Sequence, residues 1–265
     1  KTRRTAYDLV LDQNGTIYIS EESAVTCLEN DGTFKWRTGK NASISNYGTT
    51  GSGNGEFNYP KGITIGKDGN LFVADYDNKR VQVLDKNGSF VRKFGSSGTA
   101  PGQFYNYTYD VESLSDGTLV VRDYKGFHWF DLNGTFIKRL IPPSSDVQNG
   151  YLAVSKSDEI LTYTYKTFSG SSVWDLLVYN SNAEQIVARL TNNQHNINEG
   201  NWRYCFTHDG DIIISANNKV QIFKRAYRTK GLPTTNVIPQ PTNRGISQRT
   251  GTNILDLDFE IIDSD

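Results

Sequence analysis

At 265 residues the chain is long enough for one large domain or two small ones, and a formal net charge of −1 leaves no global field to draw it to nucleic acid or acidic membranes. Aromatics make up 12% of the residues and there are 24 glycines; with abundant Thr and Asn and no long helical periodicity, this composition indicates an all-β protein. No apolar run is long enough to span a bilayer, so membrane insertion is not expected.

The first predicted strands, Asp8–Asp12 and Ile17–Ser20, flank Asn14-Gly15. Such a dipeptide suits a tight hairpin, whose central residues need the positive φ that Gly and Asn tolerate best. The stretch from Gly55 to Gln103 repeats this plan in full. Short apolar runs at Gly62–Gly66, Leu71–Ala74 and Val81–Leu84 are separated by Asp68-Gly69 and Asp77-Asn78, and Asn87-Gly88 leads into a fourth run. The Gly-x-Phe signature at Gly55 and Phe57 returns at Gly102-Gln103-Phe104, a separation of 47 residues from Gly55 to Gly102. Four short strands at this period form one blade of a β-propeller.

The motif set Gly-x-Phe, Pro60, Gly62-Ile63, Asp68-Gly69, Val73-Ala74-Asp75, Asn78, Arg80 to Val83 and Phe94-Gly95 resembles the NHL repeat. The resemblance implies an NHL-type propeller. Five blades align by their first hairpin turns at Asn14-Gly15, Asp68-Gly69, Asp116-Gly117, Ser157-Asp158 and Asp209-Gly210, which leaves a five- or a six-bladed ring open. The third blade keeps Asp123 but has no Asn-x-Arg; the fourth carries an insertion from Tyr165 to Trp174. Further inner strands are expected at Asp110–Leu114, Leu152–Ser155 and Cys205–Thr207.

Residues 1–227 thus read as the propeller. Pro233, Pro239 and Pro241 mark 228–252 as a Pro/Thr-rich linker, and 253–265, with its alternating NILDLDFEII, reads as an extra strand opening a second, truncated β domain. The acids of that strand suit a solvated face better than a calcium loop. The chain has no methionine and opens in mid-repeat, which reads as a piece of something longer.

The stock of catalytic residues is small. Cys27 and Cys205 fall in a third and an innermost strand, too far apart for the Cα separation of about 7 Å that a disulfide tolerates, so two buried thiols are expected. His128 reads as packed, His208 as a turn residue and His195 as a loop residue; no metal spacing joins them. Gly51 to Gly55 fits no phosphate-loop pattern and reads as a flexible lead-in to Phe57. Asp75 and Arg80 read as a structural pair. Of five N-x-[ST] sequons, those at Asn14, Asn87 and Asn133 are explained by turn chemistry, and Asn41 and Asn106 complete the set. No catalytic residue, metal or cofactor is assigned.

Loops between blades, and between second and third strands, emerge on one face of a propeller. They bring Tyr76, Tyr105, Tyr124, Lys125, Trp202 and Arg203 to one rim, a set suited to recognition because tyrosine and tryptophan bury area at low entropic cost. Phe57 and Phe104 are expected instead to wedge between blades. The expected function is a non-catalytic module or scaffold of a larger, secreted (extracellular or periplasmic) multidomain protein, with a protein, peptide or glycan on the rim and no nucleic acid. The resemblance also implies an alternative, a lyase- or lactonase-type propeller enzyme with a metal in its central channel, where Asp8, Asp110 and Glu112 are the acids of interest.

Overall fold

The computed structural model describes residues 5–141, 150–168, 171–181, 183, 186–191, 203–216, 219–225 and 259–263. The expected linker at 228–252 and Trp202 lie outside them. Among the described residues there is no helix, and the strands form five antiparallel sheets, the blades of a β-propeller.

The first sheet contains β1 (Ala6–Leu11), β2 (Ile17–Glu21), β3 (Ala24–Leu28), β4 (Phe34–Ala42) and a short fifth strand, β5 (Tyr47–Thr49), absent from the sequence reading. The second contains β6 (Pro60–Ile65), β7 (Leu71–Asp75), β8 (Arg80–Leu84) and β9 (Phe90–Phe94). The third contains β10 (Thr108–Ser113), β11 (Leu119–Asp123), β12 (Phe127–Phe130) and β13 (Phe136–Leu140). The fourth contains β14 (Ala153–Val154), β15 (Ile160–Phe168), β16 (Ser171–Tyr179) and β17 (Ile186–Thr191). The fifth contains β18 (Arg203–Phe206), β19 (Ile212–Ala216), β20 (Lys219–Arg225) and β21 (Phe259–Asp263).

Each sheet starts at an innermost strand and meanders outward, and β1, β6, β10, β14 and β18 follow one another around the centre. The expected insertion in the fourth blade lengthens a hairpin: β15 and β16 stay paired from Ile160↔Tyr179 to Phe168↔Ser171. β21, part of the segment set apart by sequence as the start of a second domain, pairs with β20 from Gln221↔Asp263 to Arg225↔Phe259.

The first hairpin turn is fixed by a side chain. Asp12 Oδ1 accepts the backbone N–H groups of Asn14 and Thr16, and Gly15 supplies φ +81°. This is an Asx-type turn with glycine at the left-handed position.

The core lies between sheets. Phe57 packs with Tyr18, Val25 and Cys27 of the first blade and Ile63 and Leu71 of the second; Phe104 packs with Phe72 and Val83 of the second and Val121 and Phe130 of the third. Both phenylalanines are fully buried wedges, as expected. Cys27 is buried, but Cys205 is exposed, contrary to the two-buried-thiol expectation: on the outward side of the last sheet nothing described covers it. Both are free thiols.

The same place in successive blades shows where cover ends. Counted back from the first hairpin, Leu9, Ile63, Val111 and Leu152 are equivalent, and their exposures are 54%, 2%, 0% and 5%. On the opposite side of the series Val220 of the fifth sheet is 51% exposed, whereas its equivalent Val81 is 0%. The rear of the first sheet and the front of the fifth therefore carry apolar side chains that the interior sheets bury.

Candidate binding site at the channel mouth

Two buried carboxylates fix the loops around the ring centre. Asp75 Oδ1 accepts the backbone N–H of Asn58 at 2.8 Å, and its Oδ2 accepts from Arg80 Nε at 2.8 Å, Asn78 Nδ2 at 2.9 Å and Gln82 Nε2 at 3.1 Å. Arg80 also donates to the carbonyls of Ser52, Gly53 and Glu56. The glycine-rich lead-in is thus pinned by its neighbour rather than free, and Asp75 and Arg80 are structural. Asp123 repeats the arrangement in the third blade. It accepts backbone N–H groups from Tyr105, Lys125 and Gly126, and His128 Nε2 stands 2.9 Å from it in place of the missing arginine. Burial pushes the Asp123 carboxyl up, but His128 and these amides outweigh it and hold the group below the usual carboxylate range.

These anchored loops present a tyrosine cluster. Tyr76, in the β7–β8 turn, stacks on Tyr107 with centroids 4.3 Å apart and an interplanar angle of 1°, and meets Tyr109 edge-on at 5.0 Å. Lys61, near the start of β6, holds its Nζ 3.9 Å above Tyr76, 5.4 Å from Tyr109 and 5.8 Å from Tyr7. Tyr7 in turn meets Tyr59 at 6.5 Å. Next along the rim, Tyr105 and Tyr124 lie 6.2 Å apart, and Lys125 Nζ sits 3.8 Å over Tyr105. Lys79 Nζ stands 5.4 Å over Tyr107 and donates to the Asp77 carbonyl.

Burial raises the phenol pKa values of Tyr7, Tyr76 and Tyr109, and a hydrogen bond between Tyr109 and Tyr76 raises Tyr109 further. The charges of Glu22 and Asp77 add to the effect on Tyr7. All these phenols are neutral at ordinary pH and act as hydroxyl donors. The backbone at Tyr59, Lys79 and Asn106 is left-handed, with φ of 54°, 53° and 71°. That conformation is unfavourable for residues with a Cβ, and such strain clusters at functional loops.

Of the residues assigned from sequence, Tyr76 lies in the first part of this cluster and Tyr105, Tyr124 and Lys125 in the second; Tyr109 senses both Tyr76 and Tyr124. Arg203 lies in β18 with only its backbone described, and Trp202 falls outside the described residues. Lys61 and Tyr7 were missed, although residues at the channel-mouth end of an inner strand point toward the same rim.

Deeper in the centre, acids bridge blades. Asp8 Oδ2 accepts the Ile63 N–H at 3.0 Å, Asp110 Oδ2 accepts the Leu152 N–H at 2.5 Å, and Thr64 donates to Glu112 Oε2 at 3.1 Å. Gly62 makes room for this: a Cβ there would collide with the Asp110 carboxylate. Burial and the Asp8 charge raise Asp110 well above the usual range and push Glu112 up to about 8. Among the described residues no three His, Cys, Asp or Glu side chains are grouped to hold a metal.

Residues 57–84, the second blade, match the NHL repeat family model. The chain is a β-propeller whose second blade matches the NHL repeat. A stretch of the chain is similar to RING finger protein nhl-1 of Caenorhabditis elegans, at 44% identity over 57 residues, which is 22% of this chain and 6% of that protein. The chain therefore spans only a small part of that relative. Among solved structures, a catalytically inactive virginiamycin B lyase from Staphylococcus aureus with quinupristin aligns with a TM-score of 0.51 at 13% identity, over 90% of this chain and 71% of that one. The extracellular domain of a hybrid two-component system from B. thetaiotaomicron aligns with a TM-score of 0.51 at 13% identity, over 89% of this chain and 32% of that one. At such identity these likenesses show the fold. No helix among the described residues is long and apolar enough to cross a membrane.

Proposed function

We propose that this propeller is a non-catalytic binding module of a larger, secreted multidomain protein, and that it holds a protein, peptide or glycan ligand on its tyrosine rim. The observation that carries the reading is the convergence of Tyr76, Tyr107, Tyr109 and Lys61 with Tyr105, Tyr124 and Lys125, drawn from two inner strands, β6 and β10, and the loops of two blades. Neutral hydroxyls beside cations, held on anchored loops, suit recognition at little ordering cost. Trp202 and Arg203 extend this rim in the proposal, which also takes 1–227 as propeller and 228–252 as a linker leading to β21, the strand paired with β20. Secretion is supported by the likeness to the extracellular domain of a hybrid two-component system.

The test is a glycan and peptide array on the folded ring, followed by Tyr124→Ala and Trp202→Ala on any ligand found. A central anchor of this kind costs about 2 kcal/mol or more of binding when truncated. Unchanged affinity in both variants places the ligand elsewhere.

The second reading, a lyase- or lactonase-type enzyme, draws on the carboxylates Asp110 and Glu112 at the ring centre and the likeness to a virginiamycin lyase. The described residues do not fit a metal centre, because those acids are spent on blade-to-blade hydrogen bonds. Turnover of a lactone or streptogramin that is lost in Glu112→Gln would favour this reading over the first.

A further inference from the structure

Several ring faces of the rim tyrosines are already taken. Tyr76 stacks on Tyr107 on one side and carries the Lys61 ammonium on its ring, while Tyr105 carries that of Lys125. A sugar that recognises aromatics through their faces finds these occupied. What the rim offers outward is ammonium groups and phenol hydroxyls. Lys125 is exposed, and Lys79 spends one of three donors on the Asp77 carbonyl.

A second observation points the same way. Arg122, the residue before Asp123 in β11, is fully buried over the Phe127 ring at 4.8 Å, and its Nε, Nη1 and Nη2 have no hydrogen-bond partner. Its surroundings are the phenols of Tyr109, Tyr179 and Tyr204 and the carboxylate of Asp123, which His128 already pairs. Desolvation lowers the guanidinium to about 10, still charged at neutral pH. The equivalent residues in the first, second and fifth blades are Ser20, Ala74 and Ser215, so a buried cation here is peculiar to the third blade. A buried charge without hydrogen bonds is costly, and in low dielectric its field reaches far. The opposing groups near the rim are Glu22, on the Tyr7 side, and Asp77, whose charge acts on both Tyr7 and Tyr76. Of the carboxyls beneath, Asp110 and Glu112 are held toward their neutral forms and cancel little of it, while the charged one, Asp8, accepts the Ile63 amide.

We infer that the rim takes an acidic peptide, whose carboxylates meet the ammonium groups of Lys61, Lys79 and Lys125 with the Arg122 guanidinium behind Tyr109. This rests on the binding-module reading and names its partner class. Arginine and lysine beside tyrosine hydroxyls form charge-assisted hydrogen bonds to carboxylates, stronger than neutral ones.

The experiment is fluorescence anisotropy of the whole chain with labelled oligoglutamate, oligolysine and oligoserine peptides of equal length, an oligoribonucleotide and a neutral oligosaccharide, at low and physiological salt. The expected result is selective oligoglutamate binding that weakens with salt and falls about tenfold or more in Lys61→Gln/Lys125→Gln. Arg122→Met should weaken it too while leaving the melting temperature unchanged or raised, since a buried unpaired charge is removed. A ligand lost in Tyr76→Ala and Tyr124→Ala but indifferent to the lysine and arginine changes overturns the acidic class and leaves the rim reading intact. Tighter binding of the oligoribonucleotide or oligosaccharide than of oligoglutamate overturns it also. A ligand from the array that ignores every one of these substitutions overturns both.

Discussion

Asp75 shows what one residue does here. Its carboxylate collects a backbone amide and three side chains, and those side chains in turn hold the carbonyls of Gly51, Ser52, Gly53 and Glu56. Removing it leaves the Arg80 guanidinium buried without its anion, the situation that makes one-sided loss of an ion pair severe. Asp75→Ala is expected to cost about 3–5 kcal/mol of stability. Denaturant unfolding of the variant checks this, and a loss below about 1 kcal/mol would mean that the loop carbonyls alone satisfy Arg80. This role was legible in sequence because Asp75, Asn78 and Arg80 stand at the hairpin where strand geometry makes them meet. Arg122 was not legible. A lone arginine in a strand carries no periodic signal, and its isolation emerges only when the third and fourth blades close over it.

At the scale of elements, the innermost strands share a sequence pattern but not an environment. Ile63 is packed by the first blade and Val111 by the second, whereas Leu9 is half exposed because no described sheet lies behind β1. Ile63→Ala should therefore cost about 2–5 kcal/mol, the usual loss for a buried aliphatic with its cavity, while Leu9→Ala should cost within about 0.5 kcal/mol. Comparing the two variants by thermal melting decides it; equal losses would mean that Leu9 is covered in solution. Alternation of apolar residues predicted both strands well, with inner strands placed within a residue or two of those observed. It could not tell them apart, because period-2 patterning reports that a face is apolar, not that another sheet sits on it. The fourth blade shows the same limit: the insertion from Tyr165 to Trp174 carries strand-forming residues, and the backbone simply extended the β15–β16 hairpin to satisfy itself.

For the whole molecule, the ring centre is held by carboxyls that cross from blade to blade. Asp8 reaches from β1 to Ile63, Thr64 of β6 reaches Glu112 of β10, and Asp110 reaches Leu152 next to β14. Gly62, small enough to admit the Asp110 carboxylate, is part of the same fitting. Sequence reading singled out these acids as candidates for chemistry; spacing alone could not show that each is spent on a neighbouring strand. Their crowding has a consequence for stability. Glu112 moves from 4.5 to about 8 on folding, through burial first and the Asp8 charge second, and Asp110 moves the same way. Between those two values the folded ring binds a proton that the unfolded chain has released, so stability must fall as pH rises through this window and be fully present only below it. The melting temperature is thus expected to drop from about pH 5 to about pH 8. Glu112→Gln keeps an acceptor for Thr64 and removes the titration, so it should flatten the slope, and adding Asp110→Asn should flatten it further. A melting temperature that rises across this range in the native chain would show that the central carboxyls stay ionised in the folded ring, held by cations or water rather than by protons.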